Sequence, residues 1–141
     1  MQIQRKTGGI AIAALLLLTG CDDNLPRVYP VTGKLVLAGG DAKQLAGHFV
    51  EAVLEGDPNV RASGPIGPDG GFTLETLHAG VVLKGVREGK YQVRILRAEE
   101  DDDGKKLKKP PIATRFQQFQ TSGLSLAVPA TGDVTLELKQ R

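Results

Sequence analysis

The chain has 141 residues, enough for one domain, and its 40% hydrophobic and 24% charged residues are an ordinary globular balance. This composition excludes wholesale disorder and a multi-span membrane protein, and the single cysteine excludes an intramolecular disulfide framework. Removing Arg5 and Lys6 with a cleaved leader leaves 16 basic and 16 acidic residues, so no global positive field remains to attract nucleic acid.

The first 20 residues have the three-part pattern of a secretory signal peptide. Arg5 and Lys6 form a cationic head, residues 10–18 form an apolar run, and small residues follow before Cys21. The uncharged stretch that ends at Cys21 is 15 residues long, whereas a helix that crosses a bilayer needs roughly 20. We therefore expect residues 1–20 to be a cleaved leader rather than a permanent membrane span.

Leu18, Thr19 and Gly20 precede Cys21, and this segment resembles the lipobox of bacterial lipoproteins. The resemblance implies a diacylglyceryl group on the Cys21 thiol, cleavage before Cys21, and an N-acyl chain such as palmitate on the new amino group. Two or more acyl chains anchor a protein stably, whereas one holds it marginally. The alternative is an ordinary signal peptide followed by an incidental free cysteine. The sequence favours a membrane-anchored lipoprotein that faces the periplasm or the cell exterior.

Residues 21–28 are predicted to be the lipidated N-terminus and a short polar tether, which Pro26 interrupts. Residues 29–141 are predicted to form the folded domain. The tether is predicted to be a short spacer that holds this domain off the lipid surface.

From Tyr29 onward, apolar and polar residues alternate with the period of two that is typical of half-buried β-strands. The predicted inward-facing residues of seven strands are Tyr29, Val31, Leu35 and Leu37; Val50, Ala52 and Leu54; Val60 and Ala62; Phe72 and Leu74; Tyr91, Val93 and Ile95; Leu124, Leu126 and Val128; and Val134, Leu136 and Leu138. Gly33 lies in the inward register of the first strand, where we expect a bulge. Clusters of turn-forming residues separate the strands. The pattern predicts an all-β fold, an antiparallel β-sandwich of about seven strands.

Few of the isolated polar residues are candidates for a catalytic or metal-binding site. Asp69 and Gly70 predict a tight turn rather than a calcium loop, which needs further oxygen ligands at fixed spacing. His48 and His78 lie on different predicted elements and are interpreted as surface or rim residues, because zinc sites need three or four ligands. No nucleophile-elbow pattern surrounds a serine, and the lack of tryptophan removes the usual platform for sugar stacking. We predict a protein that is not an enzyme and holds no metal or cofactor besides its covalent lipid.

An acidic block followed by a basic block has the most unusual composition in the chain. Five acidic residues occupy positions 99–103, and four lysines lie between 105 and 109. The lysines neutralise most of the acidic field, so we interpret the segment as a solvated, mobile loop. The alternatives are docking of a charged partner and weak binding of a divalent cation. The candidate docking residues are Asp101, Asp102, Asp103, Lys105 and Lys106.

Residues 116–120 combine two phenylalanines with three glutamines. We expect one phenylalanine to cap the sandwich and the glutamines to face water. The alternative is a surface strand that pairs with another protein, since exposed sheet edges accept added strands.

Four segments carry a family resemblance: residues 29–35, 68–74, 89–93 and 121–124. Together with the lipobox, they resemble the small planctomycete lipoproteins that contain a carboxypeptidase-regulatory-like domain. The resemblance implies a transthyretin-like, or prealbumin-like, seven-stranded β-sandwich without catalytic residues. This chain departs from the family pattern at residues 45–49 and 112–116.

The sequence therefore favours a cell-envelope lipoprotein that acts as a non-enzymatic structural or protein-interaction module, with an envelope protein as partner. The alternative is an extracytoplasmic binding module that takes a glycan, peptide or small molecule in the loops at one end of the sandwich. A hydrolase is a third alternative.

Overall fold

β-strands are the dominant regular structure of residues 24–140, the residues described by the computed structural model. The strands are β1 Thr32–Ala38, β2 Phe49–Leu54, β3 Asp57–Pro65, β4 Gly71–Thr73, β5 Thr76–His78, β6 Val81–Leu83, β7 Gly89–Leu96, β8 Leu124–Val128 and β9 Val134–Lys139. Short 3-10 helices occupy Ala42–Leu45 and Thr114–Gln117, and the α-helix α1 occupies Phe119–Ser122. The predicted leader and the lipobox lie outside the described residues, and so do its members Leu18, Thr19, Gly20 and Cys21.

Two larger sheets and one hairpin organise these strands. The four-stranded sheet has the order β3-β2-β7-β8 and is antiparallel throughout. The three-stranded sheet has the order β4-β1-β9. In it β1 is antiparallel to β4 but parallel to β9, so the expectation of a purely antiparallel arrangement is wrong at this pair. The connection between β1 and β9 spans most of the domain, and a parallel pair needs such a long crossover.

The two larger sheets share one hydrophobic core, as expected for a β-sandwich. The three-stranded sheet contributes Leu35, Leu37, Phe72, Leu136 and Leu138, and the four-stranded sheet contributes Val50, Ala52, Ala62, Tyr91, Val93, Ile95, Leu126 and Val128. The predicted alternation is clearest in β9, where Leu136 and Leu138 are buried while Glu137 and Lys139 are exposed. Each of the seven predicted strands therefore corresponds to a strand of these sheets.

The sequence reading missed the hairpin formed by β5 and β6. Its two strands have three residues each, and a two-residue turn at Ala79 and Gly80 joins them. Both turn residues have positive φ, 48° and 80°, as a type I′ turn requires. All three residues of β6 are apolar, so no alternation with a period of two marks the hairpin, and only about seven strands were expected.

Gly33 does not mark a bulge. It pairs in regular register with Phe72 of β4 and Val134 of β9. A Cβ atom at this position would lie 2.5 Å from the Phe72 ring and 2.4 Å from the Val134 carbonyl oxygen. The glycine is therefore needed because the Phe72 ring packs directly against the β1 backbone.

The strands give the domain two distinct ends, which we call the tether end and the far end. β7 begins beside Val86, where the incoming chain pairs through Tyr29, and it leads into the charged loop after Leu96. Its eight residues rise about 3.3 Å each, so roughly 23 Å separate its two ends. Tyr29, where the chain enters the fold, and the acidic-basic loop consequently lie at opposite ends of the domain.

Candidate functional site

The predicted tether of residues 21–28 leads to a fixed point in the fold. The Tyr29 N–H donates to the Val86 carbonyl, and the Tyr29 carbonyl accepts from the Val86 N–H, both at 2.8 Å. The guanidinium of Arg27 lies 5.1 Å from the centroid of the Tyr29 ring, within the range of a cation–π contact. Cys21 precedes this point by eight residues, which span at most about 28 Å when extended.

The five candidate docking residues lie together in one loop at the far end. The Asp101 carboxylate accepts the backbone N–H groups of Asp103 at 3.0 Å and Lys105 at 2.9 Å. The Asp101 N–H donates to the Lys105 carbonyl, and the Gly104 N–H donates to the Asp101 carbonyl, both at 3.0 Å. The carboxylate of Asp101 therefore stabilises the turn of this loop through hydrogen bonds to the backbone.

The other candidate docking side chains point into solvent. Asp102, Asp103, Lys105 and Lys106 are all exposed. Charges of both signs therefore face water on one loop, an arrangement that suits a partner with its own mixed charges. Within residues 24–140, no three His, Cys, Asp or Glu side chains lie close enough together to hold a metal ion.

His48 is buried, with only 1% of its surface exposed, so its interpretation as a surface or rim residue is wrong. Its Nδ1 accepts the Ala98 N–H at 3.1 Å, and its Nε2 lies 3.2 Å from the Lys108 carbonyl, to which it donates in the neutral form. Burial lowers the pKa of His48 and the charge of Arg97 lowers it further, while the bond to Lys108 raises it. His48 can be buried because Ala98 and Lys108, at the beginning and the end of the charged loop, supply backbone partners for both ring nitrogens.

A second candidate site lies on the outer face of the four-stranded sheet. The Glu51 carboxylate receives Arg61 Nη1 at 3.1 Å on one oxygen, and Arg94 Nη2 at 2.6 Å and Nε at 2.7 Å on the other. The Phe119 ring stacks over this group, 4.5 Å from the Arg94 guanidinium and 5.6 Å from that of Arg61. The ring forms one wall of an open cavity of about 690 Å³. The lining residues are Val53, Leu54, Glu55, Gly56, Pro58, Arg61, Gln92, Phe119 and Gln120.

Sequence reasoning missed this cluster because its members come from separate strands. Glu51 is paired with Arg94 across β2 and β7, while Arg61 is paired with Val53 across β3 and β2. Strand alternation could have placed each charged residue on an outer face. The register that makes them neighbours is set by pairing between strands and cannot be derived from one strand alone.

The segment 116–120 forms helical turns rather than a surface strand. Phe116 is buried and joins the core, so the expectation that one phenylalanine caps the sandwich is confirmed. Gln118 and Gln120 are exposed, as expected, whereas Gln117 is half-buried.

Two further polar side chains serve local structure. The Asp69 carboxylate accepts the Gly71 N–H at 2.9 Å beside Gly70, whose φ is +82°, so the predicted turn is confirmed. This bond is the main cause of the lowered pKa of Asp69. The Ser122 hydroxyl donates to the Val93 carbonyl and accepts the Leu124 N–H, which ties α1 to the four-stranded sheet.

Comparison of the chain with protein-family models, curated proteins and solved structures gives no match. Within residues 24–140, no helix has the length and hydropathy needed to cross a membrane. The function of the chain therefore has to be inferred from its own residues and geometry.

Proposed function

We propose that this protein is a lipid-anchored lipoprotein of a bacterial cell envelope, in which the β-domain is a non-enzymatic structural or protein-interaction module. The observation that carries the proposal is the Leu-Thr-Gly-Cys segment. It contains the only cysteine of the chain, Cys21, which lies eight residues before Tyr29. Tyr29 is where the incoming chain forms backbone hydrogen bonds with Val86.

The arrangement of the two ends supports this role. The tether joins at one end, while the exposed charges of the loop around Asp102 lie at the other, roughly 23 Å away along β7. An anchor at Cys21 would hold the tether end near the lipid and turn the charged loop away from it. The loop is then the part of the domain best placed to meet an envelope partner.

Metabolic labelling with an alkyne fatty acid tests the anchor. We expect the wild-type protein to be labelled, to have lost its leader by cleavage, and to be recovered in the membrane fraction. Cys21→Ser should be unlabelled and should retain the leader, because both the thiol and the cleavage signal are lost. Equal labelling of the two proteins would refute the anchor.

Photocrosslinking in intact cells tests the docking role of the charged loop. A crosslinker at Asp102 should capture a discrete envelope protein, and the adduct should disappear when Lys105 and Lys106 are both changed to Glu. A crosslinker at the exposed Thr131 serves as the matched control. Equal adducts from both positions, or adducts that survive the charge reversal, would refute docking through this loop.

A binding module is the second candidate, and the cavity walled by Phe119 favours it. The cavity adjoins the turn between β2 and β3 at one end of the sandwich and combines an aromatic wall with the guanidinium group of Arg61. Such a site suits a peptide or small molecule that carries a carboxylate. Calorimetry with a library of acidic peptides and residues 22–141 should detect saturable binding that Phe119→Ala abolishes and Gln118→Ala preserves. Binding that is unaffected by Phe119→Ala would exclude this cavity.

We also propose that the domain is related to the carboxypeptidase-regulatory-like, transthyretin-like domains. In support, the resembling segments 68–74 and 89–93 form the turn into β4 and the start of β7. A solved structure of residues 22–141 in which the strands follow a different order from those domains would overturn the relationship.

A further inference from the structure

The β5–β6 hairpin presents an apolar face to solvent. Leu77 and Val82 stand directly opposite each other on the two strands and are 71% and 53% exposed. The opposite face carries Thr76 and Leu83, which are buried against the domain. The outward face of the hairpin is therefore made of two large apolar side chains.

Exposed apolar surface is concentrated in this one element. Three of the six large hydrophobic side chains exposed within residues 24–140 belong to the hairpin: Leu77, Val81 and Val82. The stretch from Thr76 to Leu83 contains no Asp, Glu, Lys or Arg. Apolar exposure that is clustered and uncharged marks an interaction surface, whereas single exposed apolar residues do not.

The hairpin lies at the tether end of the domain. β5 runs antiparallel to β3 through the Ser63–Glu75 bridge, so it points toward the end where β3 begins. The Thr76 hydroxyl donates to the Gly85 carbonyl at 2.8 Å, one residue before the Val86 position that holds Tyr29. The base of the hairpin and the fixed end of the tether are therefore neighbours.

The length of the tether allows the hairpin to reach a surface that holds Cys21. At most about 28 Å of extended chain separates Cys21 from Tyr29. Six residues connect Val86 back to the turn at Gly80, a span of at most about 20 Å. Both spans are long enough for the Gly80 turn at the tip of the hairpin and the proposed anchor at Cys21 to lie at the same membrane surface.

We propose that the β5–β6 hairpin rests in the interfacial region of the lipid bilayer and orients the domain on it. The inference rests on the proposed anchor at Cys21, which would keep the hairpin at high local concentration near lipid. The exposed Arg87 lies four residues after the hairpin, and the exposed Arg27 lies two residues before Tyr29, the bridge partner of Val86. Both would face anionic headgroups, although Glu88 offsets part of this charge. The membrane would thus cover the apolar face, and the charged loop at the far end would point away from it.

Fluorescence of the full lipid-anchored protein in vesicles of phosphatidylethanolamine and phosphatidylglycerol tests the proposal. Because lipid occupies the Cys21 sulfur, a cysteine introduced as Leu77→Cys provides a single free thiol for an environment-sensitive label. The label at 77 should show blue-shifted emission that brominated acyl chains quench strongly. The same label at Asp102→Cys, at the far end, should show water-like emission and little quenching.

A second label site separates loss of contact from misfolding. With the label at Val82→Cys, on the outward face, the added change Leu77→Gln should reduce the quenching by brominated lipid severalfold. Val36→Gln alters another exposed apolar residue, which is 44% exposed and lies in the three-stranded sheet, and should leave the quenching unchanged. Both variants should retain the wild-type circular dichroism spectrum, because the altered side chains face solvent.

The outcomes distinguish this proposal from the anchor on which it rests. Mass spectrometry that finds an unmodified Cys21 would overturn the anchor and the hairpin proposal together. An acylated Cys21 with equal, water-like emission at 77 and 102 would overturn the hairpin proposal alone. A blue shift that lipid quenchers do not affect and that weakens on dilution in the membrane would assign the apolar face to a second copy of the chain instead.

Discussion

Replacing His48 with Phe should destabilise the domain at neutral pH. The imidazole is buried and forms hydrogen bonds with the backbone of Ala98 and Lys108, the residues at which the charged loop begins and ends. Phe fills a similar volume but can neither accept from the Ala98 N–H nor donate to the Lys108 carbonyl. Each lost bond is worth about 1 kcal/mol, and the half-buried Ala98 N–H adds part of a desolvation penalty, so we expect a loss of about 2 kcal/mol. For a domain of this size the loss lowers the Tm by roughly 8 °C.

The same geometry predicts how stability depends on pH. The folded state lowers the pKa of His48 below 6.5, chiefly by burial, so it disfavours the charged imidazolium. Stability from the neutral ring is therefore fully present above the unfolded pKa and is lost as the pH falls through the folded pKa. Protonation of Nδ1 would also turn its bond with the Ala98 N–H into a repulsion between two donors.

Urea unfolding of residues 22–141 between roughly pH 8 and pH 5 measures both effects. The wild-type protein should lose more stability than His48→Phe across this window, so that their unfolding midpoints converge at low pH. His78→Phe is the control, because that side chain is only half-buried on the hairpin. Parallel pH profiles for the wild type and His48→Phe, or equal stability of the two at neutral pH, would refute the assigned role.

Three further substitutions test the packing by urea or thermal unfolding. Leu136→Asp should unfold the domain, because the loss of a buried leucine and the desolvation of a carboxylate together cost more than about 4 kcal/mol. Glu137→Lys, at an exposed position, should change the free energy of unfolding by no more than about 0.5 kcal/mol. Equal tolerance of both substitutions would show that the register of β9 is wrong. Tyr91→Phe should lose about 1 kcal/mol, because the Tyr91 hydroxyl donates to the Arg87 carbonyl at 2.9 Å, and an unchanged midpoint would deny that contribution. Gly33→Ala should lose about 2 kcal/mol by forcing its Cβ against the Phe72 ring; Phe72→Leu in the same chain should recover part of that loss, and strictly additive effects would contradict the contact.

The inward residues of β1, β7 and β9 were predictable from sequence because strand alternation is local. Successive side chains of a strand point to opposite faces, so Leu136 and Leu138 must share a face whatever the strand pairs with. Turns such as the one at Asp69 and Gly70 are local as well, since both the carboxylate and the positive φ act within three residues. The Leu-Thr-Gly-Cys pattern that ends at Cys21, on which the proposed anchor rests, is equally short-range.

Only the tertiary structure decided which strands are neighbours and what each face meets. The parallel pairing of β1 with β9, the burial of His48 between residues 98 and 108, and the contact of Glu51 with Arg94 all join positions that are distant in the chain. Alternation places a residue on one of two faces but carries no information about the partner strand or its register. The outward apolar face of Leu77 and Val82 likewise follows from the pairing of β5 with β6 and from their position beside Gly85 and Val86.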